Sequence, residues 1–372
     1  MADTERALKM RLNVDPWFMF NGFHINRYLS AVIFNMTAFE VDSPRDQPFL
    51  PHVSVIIPIY NGEQDVPPLL DCLKAQTYPR DKVEYVLVDN ASRDRTLTLL
   101  KTAAEASATE GLSLRCLSET QIQSSYAARN TGIKATQTEF LAFTDADCRP
   151  LPNWLSDLVQ PFVDPAVGIV AGEVLALEGD SWLEQYSGRK ETLSQKHTLA
   201  HPFYPYGQTA NLAVRRQAFE KAGLFRPYLT TGGDADMCWR IQQAGNWKIV
   251  FAEQAAVQHR HRATLEDLKS QWRRYGRSNR YLHELHGVSL AREFSRKDYA
   301  YRWSRWLLKE LPLTIPKILT RRADLSYLLD TPLDLLCTQA RAQGQRDARL
   351  SEQARQIEWM HPPLTDSPIQ KE

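Results

Sequence analysis

The sequence is poor in the features that place a chain in a specialised class. Its five cysteines, Cys72, Cys116, Cys148, Cys238 and Cys337, are scattered, odd in number and without a CxxC pair. That spacing argues against a zinc knuckle and a disulfide framework, and it fits a reducing compartment. No apolar run approaches the roughly 18–20 residues that span a bilayer. Tyr28–Phe39 leans apolar, but it is short and interrupted by Asn35. The N-terminus lacks a basic stretch followed by an apolar core and a small-residue cleavage site. A cytoplasmic protein is therefore expected, soluble or attached peripherally at the inner face of the membrane. Formal net charge is only +1, and nucleic acid is not an expected partner. There is also no glycine-rich phosphate loop, neither GxGxxG nor one ending in Gly-Lys-Ser/Thr, so dinucleotide binding and P-loop chemistry are poorly supported.

What is present describes an ordinary globular chain. Its 372 residues are 43% hydrophobic and 24% charged, enough for a sizeable core. Three regions are expected. Residues 1–50 form an aromatic packing extension (Trp17, Phe18, Phe20, Phe23) and a polar, proline-containing linker. Residues 51–265 alternate strand and helix patterns, as in an α/β domain with a mostly parallel central sheet flanked by helices. Residues 266–372 read as helical, basic and rich in Trp and Tyr. Arg260–Lys309 carries 13 Lys/Arg against 5 Asp/Glu, an excess that suits phosphates or an anionic membrane surface.

Within the α/β region Val53–Ile59 is a continuous β-branched run, fit for a strand covered on both faces. A helix with Val66, Leu69, Leu70 and Leu73 on one stripe follows, with Asn61 as its cap. Glu84–Val88, Leu114–Leu117, Phe140–Thr144, Ile169–Leu177, Asn211–Val214 and Lys248–Phe251 are the further expected strands. Helices are expected from a cap at Ser92, over Ala127–Ala135, around Trp154–Phe162, across Trp182–His197, up to Gly223, and over Met237–Gln243.

In an open α/β sheet, ligands bind beyond the C-terminal ends of the strands. Three polar clusters fall on that rim: Tyr60-Asn-Gly-Glu63, Asp89-Asn-Ala-Ser-Arg-Asp94 and Asp145-Ala-Asp147. Carboxylates there could hold the base and ribose of a nucleotide, with a divalent ion neutralising its diphosphate. The runs Val53-Ser-Val-Ile-Ile-Pro-Ile-Tyr-Asn61, Val88-Asp-Asn-Ala-Ser-Arg-Asp94, Ala128-Arg-Asn-Thr-Gly-Ile133 and Phe143-Thr-Asp-Ala-Asp147 resemble, in order and spacing, the family 2 glycosyltransferases of the GT-A fold. The resemblance covers residues 53–265.

It implies roles for particular residues. Pro58, Tyr60 and Glu63 would frame the donor's base, and Asp89 would hydrogen-bond it. Arg129 and Asn130 would lie near the ribose and diphosphate, Asp145 near the ribose. Asp147 would bind Mg²⁺ or Mn²⁺ between the two donor phosphates. Thr230-Thr-Gly-Gly-Asp-Ala-Asp-Met-Cys-Trp-Arg240 resembles the acidic motif that supplies the catalytic base of an inverting transfer. Asp234 fits that role, and Asp236 would assist it or replace it. The sequence departs from the pattern at Gly233, where a Glu is usual. Of the two histidines in Gln258-His-Arg-His261, His259 is the first choice to complete the metal site. Gln271-Trp-Arg-Arg-Tyr275 echoes a QxxRW motif with Tyr275 in place of Trp, which disfavours a processive synthase and leaves Arg273 or Arg274 to meet the diphosphate.

The resemblance thus implies an inverting, metal-dependent sugar transfer from a nucleotide-diphosphate sugar, on uridine, deoxythymidine or guanosine, to a carbohydrate or lipid-linked acceptor. The alternative is a non-catalytic nucleotide-sugar or glycan-binding protein on the same fold. A phosphohydrolase using Asp145 as nucleophile is disfavoured by Cys148-Arg149 after the motif. A nucleotidyltransferase is disfavoured by the missing triphosphate loop. Trp182, His197, His201, Phe203, Tyr204 and Tyr206 are candidates to meet the acceptor, and the tail around Trp303 and Trp306 is a candidate for peripheral membrane contact.

Overall fold

The computed structural model describes residues 49–321 and 324–360; the expected aromatic extension, with Trp17, Phe18, Phe20 and Phe23, lies outside them. The described residues cluster as one compact unit. Its centre is an eight-stranded sheet: β1 (Val53–Ile59), β2 (Val83–Asp89), β3 (Ser113–Ser118), β4 (Phe140–Thr144), β5 (Cys148–Pro150), β6 (Val167–Ala176), β7 (Asn211–Arg215) and β8 (Lys248–His259), in the order β3-β2-β1-β4-β7-β6-β8-β5.

The half built from β3, β2, β1 and β4 is parallel throughout. Every residue of β1 is buried, as a strand covered on both faces requires. Its alternating side chains feed two cores. Val55, Ile57 and Ile59 meet Leu69, Leu73 and Trp154 on one face, while Ile56 meets Ala128, Ile133, Phe143 and Phe225 on the other. The second half is mixed: β7 runs antiparallel to both β4 and β6, and β8 is parallel to β6. The sheet is parallel where the expected β-α-β alternation holds and mixed where β7 turns back between them.

Several expected elements have different extents, two of them markedly. The helix expected across Trp182–His197 is two helices, Trp182–Arg189 and Gln195–Leu199, separated at Glu191 with φ 47°. The last strand does not stop at Phe251 but continues to His259. Beyond it, the helix Leu265–His286 packs against the helix Asp330–Asp347. Glycines let the two backbones meet: a Cβ on Gly276 would lie 1.9 Å from the Arg341 carbonyl oxygen, and one on Gly344 2.0 Å from that of Arg273. Any side chain at either position would force the pair apart. Among the described residues no helix is long and apolar enough to cross a membrane.

Candidate active site

The loops after β1 and β2 hold each other. Asn61 and Ala91 take positive φ, 49° and 58°, so both chains turn sharply at the rim. The Asn61 N–H donates to the Ser92 hydroxyl (3.0 Å), and the Asn61 side-chain oxygen accepts from the Arg93 N–H (2.8 Å). Gly62 N–H donates to the Thr96 hydroxyl at 2.8 Å, and Glu63 N–H to Asp94 at 3.1 Å. These cross-loop bonds use the groups expected to cap helices. The helices begin later, at Val66 and Thr96, after Asp65 and Arg95 without side-chain caps. Glu63 is turned to Arg95, accepting from its N–H and Nε at 3.2 and 3.3 Å. Pro58 is buried within β1, whereas Tyr60 at its end is exposed. Asp89 is buried, and its Oδ1 has no hydrogen-bond partner. An orphaned buried acceptor at a strand end is an anomaly that a ligand N–H or a water would resolve.

Arg129 and Asn130 diverge. Arg129, 3% exposed on the helix Ser125–Lys134, reaches Asp145 with Nη2 2.5 Å from Oδ1. The Asn130 amide donates to the Phe225 carbonyl (2.9 Å) and to Glu358 (2.5 Å), and accepts from the Phe225 N–H (3.1 Å). Asn130, expected near the ribose and diphosphate, spends its amide on Phe225 and Glu358 instead. Adjacent helical residues point about 100° apart, and this one is spent tying distant backbone together.

The short strand β5, which no sequence pattern announced, pairs antiparallel with the end of β8, placing Cys148 opposite His259. That pairing brings Asp147 Oδ2 within 3.3 Å of His259 Nε2. His259 Nδ1 lies 2.7 Å from the Arg260 carbonyl, which only accepts, so Nδ1 donates and Nε2 is the atom turned to Asp147. Burial would raise the Asp147 carboxyl, but the hydrogen bond and charge of His259, with the charge of Arg262, bring it down to about 2. Asp147, Cys148 and His259 could together face a cation. Cys148 is fully buried, and burial raises its thiol well above the ordinary value, which leaves an oxygen and an imidazole nitrogen as the donors. His261 is also buried, which pushes it down to about 4.

The helix Gly233–Gly245 starts from Gly232 at φ 80° and carries Asp234 and Asp236 in its first turn. The two acids have opposite surroundings. Asp236 is fully buried, bonded to Arg226 Nε (3.0 Å), Arg240 Nε (3.0 Å) and His286 Nε2 (2.9 Å). Burial opposes its charge, but Arg240, His286 and Arg226 hold the carboxyl well below the usual range. It is a tie between this helix, the segment before it and the helix Leu265–His286, and it has no face open to a substrate. Asp234 is only partly buried, and accepts from the Thr209 hydroxyl at 2.8 Å. Desolvation raises its pKa, opposed by Arg129 and Thr209 and reinforced by Asp145. Those influences put Asp234 within the field of the Arg129–Asp145 pair.

The unusual Gly233 also has a reason. The Tyr126 ring fills the space a side chain would need, with Cζ 2.7 Å from where a Cβ would stand, and the Gly233 N–H donates to the Tyr126 hydroxyl at 3.0 Å.

Of the two arginines in the QxxRW-like run, Arg273 is engaged by Gln343 and Glu266. Arg274 is exposed, and its charge acts on Tyr126 and Tyr275. Arg262, in the coil after β8, went unnoticed in the sequence, yet its charge acts on Asp147, His259 and Tyr275. Neither Arg262 nor Arg274 has a hydrogen bond or ion pair among the described residues. Trp239, on the same helix as Asp234, is fully buried, with Phe203 4.9 Å and His201 5.1 Å away by ring centroids, while Phe203, Tyr204 and Trp182 are exposed. An open depression lined by Arg80, Lys82 and Glu84 lies at the opposite, N-terminal ends of β1–β3 and shares none of these groups.

Comparison with known proteins bears on the same residues. The model of glycosyl transferase family 2 matches residues 54–224, and that of glycosyl transferase family group 2 matches residues 140–330. Glycosyltransferase AglE of Haloferax volcanii is 35% identical over 253 residues, which are 66% of this chain and 79% of that protein. Pre-mycofactocin glycosyltransferase of Mycobacterium tuberculosis is 34% identical over 157 residues, 41% of this chain and 33% of that one. Undecaprenyl-phosphate 4-deoxy-4-formamido-L-arabinose transferase of Pseudomonas aeruginosa is 29% identical over 194 residues, 50% of this chain and 55% of its own length. Among solved structures, the mannosyltransferase PcManGT from Pyrobaculum calidifontis, in complex with GDP-Man and Mn2+, has a TM-score of 0.56 at 20% identity, covering 83% of this chain and 92% of that one. At that identity the likeness is one of fold. The chain belongs to glycosyltransferase family 2 and is a glycosyltransferase built on the GT-A fold.

Proposed function

We propose that the chain transfers a sugar, with inversion, from a nucleoside-diphosphate sugar to an acceptor hydroxyl. One observation carries the reading. A partly open carboxylate with a raised pKa, Asp234, shares a strand-end rim with the Arg129–Asp145 pair and the Asp147–His259 pair. The raised value suits a general base, which works best with a pKa drawn toward the operating pH. Asp234 takes the acceptor proton as the hydroxyl oxygen attacks the anomeric carbon. The bond from that carbon to the donor phosphate breaks on the opposite side, and its electron pair leaves with the nucleoside diphosphate.

The residues present fit a divalent cation. Asp147 offers a carboxylate, and His259 in its neutral form, with the proton on Nδ1, offers Nε2 beside it, a hard oxygen and a borderline nitrogen that with phosphate oxygens suit Mn²⁺ or Mg²⁺. When bound, such an ion neutralises charge developing on the leaving diphosphate. Arg262 and Arg274 are available to the same phosphates, and the orphaned Oδ1 of Asp89 to an N–H of the base, with Tyr60 beside it. A uracil, thymine or guanine offers that N–H. The name of the Pseudomonas relative supports a lipid-linked acceptor, and the exposed Phe203, Tyr204 and Trp182 suit stacking on a sugar.

Calorimetry of UDP and GDP with and without Mn²⁺, on wild type and Asp147→Ala, tests the donor side. Binding is expected to need the metal in the wild type and to lose that dependence in the variant. Failure of the wild type to bind either nucleotide in the presence of Mn²⁺ would overturn the proposal.

A further inference from the structure

One apolar surface in the described chain has no partner. The helices Arg296–Arg305 and Leu311–Leu319, joined through Trp306–Glu310, contain no buried residue. Their inner side is used. Trp306 Nε1 donates to the Leu328 carbonyl at 3.0 Å, the Thr331 hydroxyl bonds Glu310 at 2.5 Å, and Arg305 pairs with Glu310 at 3.0 Å. The outer side carries Leu308 and Leu319, 80% and 79% exposed, together with the exposed Leu307, Leu313 and Ile315. Ile315 and Leu319, four apart on the helix Leu311–Leu319, fall on one face, and Leu308 is exposed on the π-helical turn before it. Leu325, 69% exposed, extends it from the adjoining turn. An isolated exposed leucine needs no explanation, but a continuous group does.

The charge on this surface selects its partner. Arg296–Arg321 holds seven Lys/Arg against two Asp/Glu. Both acids are neutralised in place, Asp298 by Arg292 and the Ser295 cap, Glu310 by Arg305 and Thr331. Lys309, Lys317 and Arg321 lie exposed among the leucines, and Trp303 and Tyr301 are exposed at the start. We propose that this surface docks the enzyme onto an anionic lipid bilayer. Leu308, Ile315 and Leu319 enter the acyl boundary, the lysines and arginine meet the phosphates, and the indole and phenol sit between. A second copy of the chain fits less well, because a two-fold contact would bring the same cations together. A general protein partner fits less well too, since lysine is depleted at interface cores. The docking does not depend on the donor or on the identity of the base.

The test is co-sedimentation of the full chain with phosphatidylcholine vesicles and with phosphatidylcholine–phosphatidylglycerol vesicles, at low and high salt. The chain is expected to pellet with the anionic vesicles, less so as salt rises. The combined substitution of Leu308→Ser, Ile315→Ser and Leu319→Ser, all on exposed positions, is expected to weaken binding by well over tenfold with an unchanged circular dichroism spectrum. Lys309→Glu with Lys317→Glu should weaken it by about tenfold or more for the anionic vesicles alone. Two results would overturn the proposal: no pelleting with anionic vesicles at low salt, or equal pelleting by the triple-serine variant. A dimer in sedimentation velocity that the triple-serine variant abolishes, without vesicle binding, would assign the surface to self-association instead.

Discussion

A methyl group added at Gly233 probes how the proposed base, Asp234, is held. The new Cβ would stand 2.7 to 2.8 Å from three atoms of the Tyr126 ring. That ring cannot give way easily. It is 6% exposed, stacked on Phe225 with centroids 5.6 Å apart, and its hydroxyl accepts the Gly233 N–H. Forcing a methyl into such a contact costs about 1–3 kcal/mol, and weakening the hydrogen bond adds about 1 kcal/mol. Alanine's better helix propensity returns at most about 1 kcal/mol. Gly233→Ala should therefore destabilise by about 1–3 kcal/mol, read as a lower urea midpoint with an unchanged slope. The origin is isolated by a double-mutant cycle. With Tyr126→Ala the ring is gone, and Gly233→Ala should become neutral or slightly stabilising. The interaction energy between the two sites is then about 1–4 kcal/mol. If Gly233→Ala costs the same in both backgrounds, or nothing in the wild type, the reasoning fails. By the same geometry Gly233→Glu should lower activity.

Four further outcomes follow from the site. Asp234→Asn should lower product formation by about 10²–10⁴-fold while leaving nucleotide affinity intact. Asp236→Asn should act on stability instead, by about 3–5 kcal/mol, because two buried arginines lose their counter-charge; a stable, inactive variant would reverse the roles given to the two acids. Activity against pH should fall on the acid side as Asp234 takes up its proton. Because its pKa is raised, that limb should lie above the ordinary carboxylate value of about 4, and a flat profile down to that pH would exclude Asp234 as the base. Asn130→Ala should lower the unfolding midpoint without changing nucleotide binding, since among the described residues its amide bonds to Phe225 and Glu358.

The strands nearest the rim were legible because their patterns are local. Val53–Ile59 and Phe140–Thr144 have the extents that their largely apolar runs announce, and Asp89, Asp145 and Asp147 stand at strand ends where polarity returns. What stayed hidden depends on partners far along the chain. Asn61 and Ser92 look like helix caps, yet each finds a partner in the other's loop, some thirty residues away, and a side-chain cap is only one way to satisfy those groups. The strand β5 is three residues long and ends in a proline; nothing in so short a run distinguishes it from coil. The sequence also marks no difference between Arg129 and Asn130, and it prefers Asp234 to Asp236 only through the family resemblance.

Those pairs show how the fold divides labour between neighbouring polar residues. In each pair one side chain meets the rim and the other ties the backbone that carries it. Arg129 meets Asp145 while Asn130 fixes the segment at Phe225. Asp234 keeps a partly open carboxylate while Asp236 binds Arg226, Arg240 and His286. The ties cross the chain: Phe225 and Arg226 are adjacent, so Asn130 and Asp236 hold the same stretch from two helices. His286 then brings in the helix that carries Arg274. A base must stay within a fraction of an ångström of its working position. The buried charge of Asp236, expensive on its own, is the means by which the helix carrying Asp234 is kept in register with the helix carrying Arg274.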